Sequence, residues 1–338
     1  MPIPILIVAY DRPKITKALL LRIKSLPPTQ VFISIDRANK ESSRFKANLE
    51  VISLCQEFSL DSSHKATIFT QQENVGCSVN TIFGMRMLLS EYDSGLLLED
   101  DCEFRDEYID FLNGNYMNID YSKYMSVTPM NPDWDKDLYN LKSEKVEVRS
   151  SPIMGASLGM TFSRESIRAF DLVLQNLNSD ELQKRIKRAL RRAEINFMQR
   201  EILEDFWNYK VFKIKQTFRL DVEKFTSSTS HQSQTGWDAV WQLGAFFEQK
   251  DFLLTSYTVA RESLNQSESG WHPHTFSYPS WNDLSLNFQI DSIERGQQFY
   301  LLNLRKFDAL SISNWPVLKY FKIYASRTIF KLKTRKHL

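Results

Sequence analysis

The sequence predicts an α/β protein, with a mostly parallel central sheet flanked by helices and a helical C-terminal extension. Three observations carry that expectation. Short apolar runs such as Ile5–Ala9, Val31–Ile35 and Gly95–Leu98 have the uniform character of strands buried on both faces of a parallel sheet. Stretches with helical spacing of apolar residues separate them. The resulting β-α-β-α-β-α-β order implies parallel strands joined by right-handed crossovers.

The first strand lies in Ile3–Ala9 and leads into the turn Tyr10-Asp11-Arg12-Pro13, with proline near the next helix start. That helix is expected from about Ile15 to Leu26, with Ala18, Leu19 and Ile23 near one face and Pro27-Pro28 ending it. The second strand, Val31–Ile35, runs into Asp36-Arg37-Ala38-Asn39, and a helical stretch covers roughly residues 44–58. A third strand is expected at Ala66–Phe69. After Glu73-Asn74-Val75-Gly76-Cys77-Ser78 comes a helix carrying Val79, Ile82, Phe83 and Met87. The fourth strand is the acidic one.

That strand, Gly95-Leu96-Leu97-Leu98-Glu99-Asp100-Asp101-Cys102, is the most informative stretch of the chain. Three adjacent carboxylates repel one another, so a fold that keeps them together places something positive between them. Hard divalent cations take oxygen ligands, and ligands of open α/β sheets bind beyond the carboxyl ends of the strands. A solvated acidic turn is the plainer alternative.

Composition narrows the classes. The chain has 338 residues, 42% hydrophobic and 25% charged, with a formal net charge of +2. These are values of ordinary globular material, and nothing in the overall charge suggests nucleic acid. No run reaches the roughly 18 apolar residues of a membrane span. Met1-Pro2-Ile3-Pro4 lacks the basic start of a signal peptide. Cys55, Cys77 and Cys102 make no even disulfide framework and point to a reducing, cytoplasmic setting. A Gly-rich phosphate loop after the first strand is absent, against dinucleotide-binding enzymes and sugar nucleotidyltransferases, and no Gly-x-Ser-x-Gly elbow is present.

The ILIVAYDRP turn, the strand ending in Asp36, the ENVGCSVN loop and LLLEDDCEF resemble, in that order, GT-A fold glycosyltransferases. The resemblance is to bacterial family 2-like nucleotide-diphospho-sugar transferases, with a weaker likeness to N-acetylglucosaminyltransferase I. It covers about residues 1–115 and returns at Gly236-Trp237-Asp238-Ala239-Val240-Trp241 and His272-Pro273-His274-Thr275. It implies a GT-A domain with a nucleotide-sugar-binding half (1–115), an acceptor-side and catalytic half (116–290) and a basic extension (291–338).

The activity it implies is a metal-dependent inverting transfer of a hexosyl or N-acetylhexosaminyl group, in cell-surface polysaccharide synthesis. The donor would be a nucleotide-diphosphate sugar, a UDP-sugar foremost, and the acceptor a glycan or lipid-linked hydroxyl. By the same resemblance Asp101 matches the metal-binding aspartate for Mn2+ or Mg2+, and His274 is the second ligand, with His272 and His231 as alternatives. Glu99 and Asp100 would lie near ribose and nucleotide, and Asp36 near the base. Ala9, Tyr10, Asp11, Asn74 and Gly76 complete the donor-binding set. The plainer alternative for Asp36 is a turn or cap residue, and Gly76 reads as a backbone device.

Asp238 matches the general base of the inverting enzymes. It sits at a helix start, where partial positive charge favours a carboxylate; Asp205 is its rival, and the plainer alternative is a helix-cap aspartate beside a core tryptophan. Met154–Arg164 departs from the Gly-Trp-Ala-Thr-Trp run of the bacterial family, which leaves the sugar open. The other function class is a non-catalytic GT-A-shaped sugar or nucleotide binder, or a scaffold.

Two basic stretches remain. Lys184–Arg192 packs six bases into nine residues and reads as a solvated helix face. From Leu318 to Leu338, seven bases alternate with aromatic and aliphatic residues and no acid. Such a segment can be drawn to anionic lipid, which would put the protein at the periphery of the inner membrane face; a loose basic tail is the plainer alternative. Ser227–Gln234 reads as a loop.

Overall fold

The computed structural model describes residues 2–129, 146, 148–152, 154, 157, 159–177, 179–192, 200, 204, 207–208, 210–211, 214, 237–255 and 260–262. Strands β1 (Ile5–Ala9), β2 (Gln30–Ile35), β3 (Lys65–Thr70) and β4 (Ser94–Glu99) alternate with helices α1 (Pro13–Lys24), α2 (Phe45–Asp61) and α3 (Cys77–Glu91). Next come β5 (Cys102–Phe104), α4 (Asp106–Asn115), β6 (Tyr124–Thr128), β7 (Val148–Ser151) and β8 (Thr161–Ser163). Helices α5 (Arg164–Gln175), α6 (Asp180–Arg192) and α7 (Trp237–Glu248) and strands β9 (Asp251–Thr255) and β10 (Ala260–Glu262) follow.

The main sheet has the order β3-β2-β1-β4-β8. Its first four strands are parallel, and β8 closes the edge antiparallel to β4. A three-stranded sheet, β6-β9-β7, and a small antiparallel pair, β5 with β10, complete the strands. The expected parallel α/β core is therefore present, as a mixed sheet.

The strands alternate sides as a period of two requires. Ile5, Ile7, Ala9, Val31, Ile33, Ile35, Leu96 and Leu98 pack toward α1, α2 and α4. Leu6, Val8, Phe32 and Leu97 pack toward α3, α5 and α7 with Phe170, Trp241 and Phe246. Both faces of β1 and β2 are closed, which is why their sequences are uninterrupted hydrophobic runs.

Several expectations about faces and ends are corrected. On α1 the buried residues are Ile15, Thr16, Leu19, Leu20 and Ile23, and Ala18 is exposed. The helix stops at Lys24, before the two prolines. On α3 the buried stripe is Ile82, Met85, Leu88 and Leu89, and Phe83 is exposed. Gly84 explains the rotation: a Cβ there would meet Leu6 Cδ1 and Ser34 Cβ at 2.9 Å, so α3 lies closer to the sheet than a larger residue permits. Helix α2 continues to Asp61. Helix α5 is capped by Ser163, whose Oγ accepts the Ser166 N–H at 3.2 Å.

The expected solvated basic face at Lys184–Arg192 is a helix. It buries Leu182, Ile186, Ala189 and Leu190 while its bases stay at or near the surface. No helix among the described residues is long and apolar enough to cross a membrane. The Ser227–Gln234 loop and the segment from residue 291 onward lie outside the described residues.

Candidate functional site

Strand β1 lies between β2 and β4, so the chain leaves it in opposite directions along the sheet. Such a switch point opens a crevice at the carboxyl ends of the strands. Ala9, Tyr10, Asp11 and Arg12 come off β1 there, Asp36 comes off β2, and Glu99, Asp100 and Asp101 come off β4. Backbone ladder bonds run one step further into the crevice: Asp100 N–H to Val8 O at 2.9 Å and Asp36 N–H to Ala9 O at 3.1 Å.

The positive group between the acids is Arg12. Its Nη1 donates to Asp101 Oδ2 at 2.6 Å and its Nη2 to Asp100 Oδ1. Burial alone would lower the guanidinium pKa, but Asp100 and then Asp101 reverse this, and the net shift is upward. The two aspartates are not served equally. Asp100 also accepts from Thr16 Oγ1 at 3.5 Å. Asp101 is 5% exposed, and its Oδ1 is buried without a hydrogen-bond partner. Burial pushes Glu99 up to about 8, helped by Asp101 and resisted by Arg12, with Asp100 and Asp238 adding smaller upward shifts. Burial also raises Asp100 to about 6 against the pull of Arg12.

A second layer holds the loops that border the crevice. Asp36 is 4% exposed and accepts three backbone N–H bonds at 2.9 Å, from Arg37, Val75 and Gly76. Those bonds oppose the rise in pKa that its burial produces. Gly76, at φ +83°, precedes the first turn of α3, a backbone conformation that favours glycine. Asn48 ties the β1 and β2 ends together: its Nδ2 donates to Tyr10 O at 2.7 Å and Asp36 O at 2.8 Å, and its Oδ1 accepts Ala38 N–H at 3.1 Å. Asn74 Nδ2 donates to the Tyr10 hydroxyl at 3.1 Å. Asp11 is buried and paired with Arg44 at 3.3 Å.

Asp238 arrives from the far half of the chain. It lies in the first turn of α7, with Oδ1 accepting the Ala239 N–H at 2.9 Å. Trp237 N–H donates to Ser78 Oγ at 3.2 Å, which sets the start of α7 against the start of α3. Trp241 fixes the helix from below, stacking edge-on with Trp237 and donating its indole N–H to Ser126 Oγ at 2.9 Å. Burial raises the Asp238 pKa and Lys210 opposes it. Two helix N-termini, each a source of partial positive charge, thus meet beside the acidic turn.

The structure brings together Ala9, Tyr10, Asp11, Asp36, Asn74, Gly76, Glu99, Asp100, Asp101 and Asp238. Asp205, His231, His272 and His274 lie outside the described residues. Among the described residues no three His, Cys, Asp or Glu side chains form a metal-ligand group. The donor set nonetheless fits a hard cation at one point, the orphaned Asp101 Oδ1. Arg12, Asn48 and Lys210 have no signal in the motif pattern beyond the position of Arg12 directly after Asp11. No protein-family model matches the chain, and no curated protein matches it either.

Proposed function

We propose that the chain is a GT-A type glycosyltransferase. It would move a sugar, with inversion, from a nucleotide-diphosphate donor to the hydroxyl of a glycan or lipid-linked acceptor. One observation carries the reading: Asp238, remote in sequence, lies in the first turn of α7, and the bond from the adjacent Trp237 N–H to Ser78 Oγ at 3.2 Å sets that turn against the start of α3 at the crevice. An inverting displacement needs a carboxylate on the acceptor side and positive charge on the leaving-group side, and this crevice has both kinds of group.

In this reading Asp238 takes the proton of the acceptor hydroxyl as that oxygen attacks the anomeric carbon and the diphosphate departs. Its upward-shifted pKa strengthens it as a base, which suits transfer near neutral pH. The N-terminus of α3 lies beside the start of α7 at the crevice, and a helix N-terminus is a favourable place for phosphate oxygens. Asp36, through Val75 and Gly76, holds that helix start in position, and Tyr10 offers a ring to the base. Asp101 would hold a divalent cation, Mn2+ or Mg2+, with His274 as second ligand. When bound, that ion supplies Lewis-acid stabilisation to the leaving diphosphate.

The test is turnover of a panel of nucleotide-diphosphate sugars with Mn2+, read as release of nucleoside diphosphate, with the product's anomeric configuration read by NMR. Release to an acceptor with inverted configuration supports the proposal. Donor binding without release for any acceptor would favour a non-catalytic binder, and retained configuration would reject Asp238 as the base of a single displacement.

A further inference from the structure

Asp101 is half satisfied. One oxygen is held by Arg12, and the other is buried with no partner. Asp100, by contrast, is engaged by both Arg12 and Thr16. The same guanidinium therefore holds both acids, yet it carries one positive charge against two. It comes from the residue just before α1, and its backbone carbonyl is fixed by the Thr16 N–H at 2.9 Å. Its side chain is 20% exposed, so solvent screens the pairs only in part.

A dication on Asp101 Oδ1 would share one carboxylate with the guanidinium nitrogen that lies 2.6 Å from Oδ2. Like charges so close in a partly buried site repel strongly. The two cations also draw on the same electron-rich group. A planar guanidinium bridges paired carboxylates well, whereas a lysine ammonium acts as a compact point charge.

We infer that Arg12 is an internal competitor of the divalent cation: it holds the acid pair together when no metal is bound and limits the site's affinity for metal. The inference rests on the proposed cation at Asp101. It makes Arg12 a positioning residue that sets when the site takes up its ion. A cation then binds by displacing the guanidinium from Asp101 Oδ2 or by sharing the carboxylate with it, and either route lowers the measured affinity.

The test is calorimetric titration of Mn2+ alone into the full chain, for the wild type, Arg12→Met, Arg12→Lys and Asp101→Asn. Arg12→Met is expected to bind Mn2+ more tightly than wild type by roughly tenfold or more. Arg12→Lys, which keeps the charge and guards against a folding failure of the first variant, should fall between them. Asp101→Asn should lose binding. Metal-free Arg12→Met should also melt below wild type, and Mn2+ should close that gap. If the wild type binds Mn2+ but both Arg12 variants bind equally or more weakly, Arg12 is no competitor, while the cation reading stands. If Mn2+ binds to none of the four proteins, the cation reading fails and takes the inference with it.

Discussion

Trp237 donates its backbone N–H to Ser78 Oγ at 3.2 Å, so the first turn of α7 is fastened to the first turn of α3. This bond joins the half of the chain that carries the acidic turn to the half that carries Asp238. It also gives Asp238 a fixed approach to the crevice rather than a position on a free loop.

With Asp238 as the proposed general base, Asp238→Asn should lower transfer by about 10²–10⁴-fold, the usual worth of such a group, while donor affinity stays nearly constant. Steady-state rates and donor titration on the same preparation separate the two. An unimpaired Asp238→Asn beside an inactive Asp205→Asn would move the base to Asp205.

Asp36→Ala should destabilise the fold by about 3 kcal/mol, because it strands three part-buried backbone donors, and a buried donor left unpaired costs about 1–3 kcal/mol. Asp36→Asn, which keeps one acceptor oxygen, should cost less. Chemical denaturation measures both, and equal stability of Asp36→Ala and wild type would show that the Val75–Gly76 loop is held by other contacts.

Gly76→Ala meets no steric obstacle, since nothing lies within 4 Å of an added Cβ. Its cost is purely that of placing a side-chain residue at φ +83°, about 1–3 kcal/mol. The loss should appear in the melting temperature and in weaker donor binding, because the start of α3 shifts with it.

Glu99 gives the fold a pH dependence. Its folded pKa of about 8 lies above the ordinary 4.5, so the folded chain keeps a proton that the unfolded chain releases. Stability is then greatest below the unfolded value and falls as pH rises through the window up to about 8. Melting temperatures should decline across that range, and Glu99→Gln should flatten the decline. A wild-type profile as flat as that of Glu99→Gln would contradict the assignment.

The basic segment from Leu318 is proposed to hold the protein at an anionic membrane surface, with each base near lipid worth about 1 kcal/mol. Truncation after Pro316 should release the chain from anionic liposomes without loss of turnover on a soluble acceptor. Equal liposome binding with and without the segment would refute this.

The parallel core was legible because β1, β2 and β4 are buried on both faces, and burial of that kind leaves an unbroken apolar string in the sequence. The acids at the strand end were legible for the same reason. The identity of their counter-charge was not. Repulsion among Glu99, Asp100 and Asp101 demands a cation but does not say whether it is a metal or a side chain, and Arg12 lies 89 positions from Asp101. Asn48 was hidden because its role depends on the β1 and β2 ends lying side by side. The buried face of α3 was misjudged because Gly84, which lets the helix approach the sheet, leaves no mark in a pattern of apolar residues.

The pairing of β10 with β5 places Glu262 opposite Cys102, one residue beyond the acidic turn. In folding terms the site is expected to be assembled late. The four parallel strands need only the first third of the chain, whereas the turn that bears Asp101 gains its partner strand only when the chain has travelled to residue 260 and back. Contacts so distant in sequence form slowly, because loop closure must precede any gain from pairing. Ligand binding at this crevice is therefore a stricter measure of complete folding than secondary-structure content, which the N-terminal sheet can supply by itself.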